Sequence, residues 1–148
     1  MAWYKVLFRD IDDSLFSVWV RGSLLLYYAP GKKTIGKRGP ILFFDSYENA
    51  KDFRDRVSQY QTIGKSEIWF CEPDSNPFPV RNVLAYSIGE LTRPRVDIVK
   101  KFWDSPAWQV ERESLKIEGI DWKNVSSAPP GTYAARAVTL LEPILEEQ

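Results

Sequence analysis

The sequence predicts an α+β fold: a mainly antiparallel, curved sheet of about five to seven strands, packed against one main helix and one shorter helix. Three observations carry this. The stretch from Pro40 to Phe53 joins a short apolar strand, Ile41 to Phe44, directly to a helix. Within that helix Tyr47, Ala50, Phe53 and Val57 recur every three or four residues, so one face is apolar while Asp52, Arg54, Asp55 and Arg56 fall largely outside it. Ahead of it, apolar segments separated by short turn-forming stretches read as an antiparallel meander, because connections that short join adjacent strands.

Taken in order, Trp3 to Arg9 reads as a first strand and Asp10 to Asp13 as a turn. Leu15 to Val20 reads as a second strand, with Phe16, Val18 and Val20 on one face, followed by a turn at Arg21-Gly22-Ser23 and a third strand at Leu24 to Tyr28. The central helix can be capped by Asp45 or by Ser46; with Asp45 as cap, Glu48 takes the third helical position of a capping box. Gln61 to Lys65 connects onward, with Gly64 suited to ending the helix. Ser66 to Glu72 is the next strand, Ile68, Phe70 and Glu72 on one face and Trp69 and Cys71 on the other. Pro73 to Pro79 reads as an irregular loop. Val80 to Tyr86 reads as a strand running on to Ile88. Arg93-Pro94-Arg95 opens a short helix from Val96 to Trp103, striped by Ile98, Val99, Phe102 and Trp103, with a break at Ser105-Pro106. Trp108 to Ile117 fits strand or helix, and Gly119 to Gly131 reads as a long loop. Thr132 to Ile144 is ambiguous: Ala135, Val138 and Leu141 fit a helix, while the preceding Pro-Pro-Gly-Thr and the β-branched residues favour a strand ended by Pro143.

Composition narrows the chemistry. With 148 residues, 44% apolar and 27% charged, the chain has the balance of one globular domain spanning 1–148. Twenty basic and twenty acidic residues cancel, so there is no strong nucleic-acid signal from bulk charge. No apolar run approaches the roughly 18 residues of a membrane span, and Met1 to Lys5 lacks the charged start of a signal peptide. A cytoplasmic location without membrane association is the expectation. Cys71 has no partner for an intramolecular disulfide, and the chain has no histidine. That removes the usual zinc ligand sets and the usual Ser-His-Asp and Cys-His catalytic sets. Cys71 itself reads as a small buried hydrophobe. No catalytic residue, metal or cofactor is assigned. Six Trp, seven Tyr and eight Phe are rings enough to fill a core, and also to line a partner surface.

The candidate ligand-binding residues are Lys32, Lys33, Thr34, Lys37, Arg38 and Glu72. The first five lie in a glycine-rich basic loop, Ala29 to Gly39. Gly31, Gly36 and Lys37 come close to the phosphate-binding loop pattern, but Arg38 stands where Ser or Thr would hold magnesium, and Gly39-Pro40 replaces the helix start. A nucleotide triphosphatase is therefore rejected, while anion binding by the four cations stays open beside a plain solvated loop. Glu72, at the end of a central strand, is the candidate carboxylate.

Tyr4-Lys5-Val6, Gly31 to Thr34, Phe43 to Ser46, Ala50, Phe53, Ile68-Trp69 and Cys71-Glu72 together resemble small uncharacterised proteins of phages and bacterial genomes, over roughly the first half of the chain. That resemblance implies no activity. A fainter similarity is to ADP-ribosyltransferase-like domains, which implies roles for Arg9, Ser46 and Glu72 as a set. The expected function is a soluble binding module for a protein partner, of the kind used in virus–host interaction. The alternatives are a protein or enzyme for a phosphate-bearing small molecule, and a structural or assembly protein.

Overall fold

The computed structural model of the protein describes residues 1–17, 26–37, 39–59, 64–74, 76–84, 96–111 and 116–145. The strands are β1 (Trp3–Arg9), β2 (Leu15–Ser17), β3 (Tyr27–Tyr28), β4 (Lys33–Ile35), β5 (Ile41–Phe44), β6 (Lys65–Pro73), β7 (Phe78–Pro79), β8 (Asn82–Leu84), β9 (Val125–Ser127), β10 (Thr132–Ala135) and β11 (Ala137–Pro143). Helix α1 is Tyr47–Ser58 and helix α2 is Val96–Asp104. The α+β architecture follows the expectation. The main sheet is larger than five to seven strands: among the described residues nine strands join in it, and β8 and β9 form a separate pair.

Every pairing among these strands is antiparallel. The order runs β4-β11-β6-β1-β5-β10-β7, with β2 on β1 and β3 on β2. Strands β10 and β11 lie near opposite ends of this order, yet only Arg136 separates them in the chain. One bent strand thus ties both sides together, and the sheet has to curl around the face it encloses. Side chains alternate across it as the pleat requires. Leu7, Ile41, Phe43, Trp69, Cys71, Val138 and Leu140 fill the enclosed face together with Leu15 and Tyr28. Val6, Phe44 and Ile68 lie on the outer face, under Ala50, Phe53 and Val57 of α1. The apolar stripe of α1 is therefore the one the sequence predicts.

Local starts and stops differ from expectation at several points. Ser46, not Asp45, caps α1: its Oγ accepts from the Asn49 N–H at 3.2 Å. Asp45 instead accepts from the Asn49 side-chain amide at 3.1 Å, so the Asp45–Glu48 capping box does not form. The helix ends at Ser58, well before Gly64, which leads into β6 with φ at +81°. The glycine-rich loop contains strand β4, and the proline-rich stretch contributes Pro73 to β6 and all of β7. The stretch read as a loop from Gly119 to Gly131 contains a 3₁₀ turn at Trp122–Asn124 and strand β9. These segments are short, and their pairing partners lie far away in sequence, so no local periodicity announces them. Residues 18–25, 60–63, 85–95 and 112–115 lie outside the described residues. With them fall the second strand beyond Ser17, the Arg21–Ser23 turn, the start of the third strand, much of the connector after α1, the strand reading from Ala85 to Ile88, the Arg93–Arg95 helix opening, and the middle of Trp108 to Ile117.

A third cluster joins α2 to the β8–β9 pair. Phe102, Ala107 and Val125 are fully buried in it, against Leu84, Trp103, Trp108, Ile117, Ile120 and Trp122. Ser105 caps a 3₁₀ turn at Pro106–Trp108, as the Ser105-Pro106 break suggests. Asn82 is buried beside this turn, and its side-chain amide donates to the carbonyls of Ala107 and Val110. Buried donors must be satisfied, and this one is satisfied twice. The cluster meets the main sheet where Trp108 packs on Phe78, ring centroids 4.8 Å apart, and where Gly39 lies against the indole of Trp103.

Candidate functional site

The expected site residues divide between two faces. Register aligns Lys33 of β4 with Thr139 of β11, and Thr139 with Glu72 of β6. Lys33 and Glu72 therefore share the outward face, two strand spacings or about 10 Å apart. Thr34 points to the opposite face, paired with Val138. Lys33 is not a free cation: its ammonium pairs with Asp74 at 2.9 Å, in an exposed position where such a pair contributes about 0–1 kcal/mol. Lys32 sits in the exposed turn before β4, with its N–H donating to the Ala29 carbonyl. Lys37 is exposed on the next turn, and Arg38 lies outside the described residues. The basic loop thus presents its cations along a strand and two turns rather than converging on one point.

The outward face also carries two apolar side chains that sequence reading passed over. Ile35 of β4 is 54% exposed and Leu141 of β11 is 52% exposed. Leu141 stands at a bulge, where the register between β11 and β6 shifts after Leu140. Helix α1 lies over β1, β5 and β6 and does not take these two as core partners. Period-two counting from the buried Val138 would have placed Leu141 outside. Ile35 had no such signal, because its strand went unrecognised.

The set Arg9, Ser46 and Glu72 is not assembled. Arg9 pairs with Lys65 across the β1–β6 ladder, and Lys65 to Glu72 spans seven residue steps, about 23 Å. The guanidinium of Arg9 grips both carboxylate oxygens of Glu67, at 2.5 and 3.0 Å. Burial acts to raise the Glu67 carboxyl, but Arg9 and the indole N–H of Trp69 outweigh it and hold the carboxyl below its usual range. Ser46 is occupied as the α1 cap.

Inside the curled sheet a polar group appears that sequence reading missed. Lys5 falls on the enclosed face with Trp3 and Leu7 and is only 7% exposed. Its Nζ donates to the Leu42 carbonyl at 2.6 Å and lies 5.8 Å from the centre of the Tyr28 ring. Burial lowers its pKa to about 8, a fall that Cys71 slightly opposes. Cys71 is buried as expected, and burial pushes its thiol up to about 12. Burial likewise raises the Tyr28 phenol, eased by a hydrogen bond with Ser17. A thiol held protonated is a poor nucleophile. The ends of the enclosed space are closed by side chains: Trp3 packs edge-on against Phe43 and Tyr133 at one, and the Arg9–Glu67 pair closes the other.

Of the Trp residues that could anchor a partner, Trp69 is buried and Trp3 and Trp108 are half-buried against neighbouring rings, while Trp19 lies outside the described residues. Among the described residues no group of three or more His, Cys, Asp or Glu is placed to hold a metal ion, and no helix is long and apolar enough to cross a membrane. Compared with family models, curated proteins and solved structures, the chain matches none.

Proposed function

We propose that the chain is a non-catalytic protein-binding module that takes its partner on the outward face of β4, β11 and β6. The exposure of Ile35 and Leu141 on that face, beside Lys33, Thr139 and Glu72, is the observation that supports this reading. Two aliphatic anchors within a polar surround have the character of a contact patch, where a few apolar side chains supply most of the affinity and the charged rim sets orientation. Strand β4 adds a second element of recognition. Among the described residues it is an edge strand, bonded to β11 alone, and an edge of that kind suits the addition of a partner strand.

The test is capture of a partner by the wild-type chain and by the double variant Ile35→Lys, Leu141→Lys. Both positions are half exposed, so the variant should melt within about 1 kcal/mol of wild type. Loss of the captured partner with an unchanged melting curve supports the reading. Capture of the same partner by both proteins sinks it.

The anion reading keeps one supporting observation. The turn carrying Lys37 leads into Gly39, whose backbone lies on the Trp103 indole, and the Gly36 N–H donates to the carbonyl of the exposed Arg136. Basic residues close in the chain to a glycine packed on an indole suit a nucleotide. Thermal-shift screening against nucleotides discriminates: a shift that Lys37→Ala and Arg136→Ala both abolish favours this second reading over the first.

A further inference from the structure

The enclosed lysine sits at a fork in the sheet. Along one edge of β1, β5 pairs only at Tyr4, opposite Phe44, while β2 takes over from Leu7 to Arg9. Among the described residues neither Lys5 nor Val6 has a ladder partner on that edge. The Lys5 side chain reaches the Leu42 carbonyl of β5, and the Tyr28 ring of β3 lies over its ammonium position. One side chain therefore touches both arms of the fork. Among the described residues, Leu42 is the acceptor found for its three N–H bonds.

We propose that Lys5 is a proton-operated pin for this fork. With the amine uncharged, β2 and β3 lie closed against the enclosed face. When the amine is charged, the fork opens more often, because parting the strands lets water reach an ammonium that the core solvates poorly. Physical reasons support this direction. A charged amine held away from water is penalised, and the penalty is relieved by any opening that admits solvent. Along the enclosed face the Glu67 carboxylate is taken up by Arg9, and the remaining titratable groups facing Lys5 are Tyr28 from β3 and Cys71 from β6. Both keep their protons through neutral pH, so neither supplies a negative charge to hold the ammonium in place. From β2 the facing polar group is the Ser17 hydroxyl, and β5 offers the Leu42 carbonyl. The charge state of Lys5 is therefore the variable that changes near pH 8.

The experiment follows amide hydrogen exchange at Ser17 and Leu26, whose N–H groups bond across β2 and β3, with the Trp69 amide as internal reference. After correction for intrinsic exchange, the opening of Ser17 and Leu26 should be about tenfold more frequent at pH 7 than at pH 9, one unit either side of the Lys5 midpoint. Lys5→Met should show no such dependence, and Tyr28→Phe, which keeps the ring, should retain it. A ¹³Cε titration of the lysines gives an independent reading that needs no variant: one lysine should titrate near 8. Equal opening at both pH values, or a Lys5 resonance titrating with the surface lysines, overturns the proposal.

Discussion

Lys5 is the residue whose environment departs furthest from its type. Lysine is almost never fully buried without a charged partner, and among the described residues this one has a carbonyl and a ring instead. The effect on stability follows from where the protons sit. The folded pKa of about 8 lies below the ordinary 10.5, so between these values the unfolded chain holds a proton that the folded chain has lost. Stability must then rise with pH from 8 upward. Cys71 opposes this above its ordinary 9.0, since its folded pKa of about 12 keeps a proton the unfolded thiol loses, and Tyr28 adds to that fall at higher pH. The net expectation is a gain of about 1 kcal/mol between pH 8 and 9, then a plateau or decline. Urea unfolding at half-unit pH steps measures it, and Lys5→Met should remove the rise. The position was legible in part: counting by twos from Leu7 puts Lys5 inside. Its charge argued for the surface, and only the curl of a sheet closed by distant strands reverses that argument.

At the scale of the element, the start of α1 shows how a correct element can carry a wrong detail. The spacing of Ala50, Phe53 and Val57 fixed the helix and its buried face. It could not choose between Asp45 and Ser46, because both can accept from a free helix amide. The choice is made by the turn that leads into β10. The Asp45 N–H donates to the Gly131 carbonyl, which holds Asp45 in the strand exit and leaves Ser46 as cap. Gly131 has φ of +77°, and a Cβ there would come within 2.3 Å of both the Asn49 amide nitrogen and the Asp45 carboxylate. Two substitutions should therefore rank clearly. Ser46→Ala loses one capping bond and should cost about 1 kcal/mol. Gly131→Ala combines an unfavourable backbone conformation with a clash against the same cap, and should cost at least about 2 kcal/mol. Chemical denaturation of the two variants gives the order directly. The short strands β4, β7 and β9 show the opposite case, elements with no local signal at all. Each has two or three residues, too few for periodicity, and exists because a partner strand is already in place.

For the molecule as a whole, the helix and the longer strands were readable, and the closure of the sheet was not. Thr132 to Pro143 favours extended structure by composition, and the ambiguity with a helix was resolved by Pro129-Pro130 and the β-branched residues. Nothing in that stretch says that it bends at Arg136 and serves two sides of one sheet. The candidate patch was hidden for the same reason: Lys33 and Glu72 lie 39 positions apart in the chain, and only β11, running between them, sets them on one face. Removing residues 137–148 should therefore unseat more than one strand. It strips the shared neighbour of β4 and β6 and uncovers the enclosed face along Trp69 and Cys71. The truncated chain should be digested by a non-specific protease under conditions where the full chain resists, and its Trp emission should shift to longer wavelength.

The bend at Arg136 also sets an order of events during synthesis. Strands β1 to β7 leave the ribosome first, but their common closing piece is translated after all of them, so the incomplete chain carries an open, greasy trough until Pro143 has emerged. A nascent chain stalled short of that point is a client for chaperones, and one released just beyond it is not.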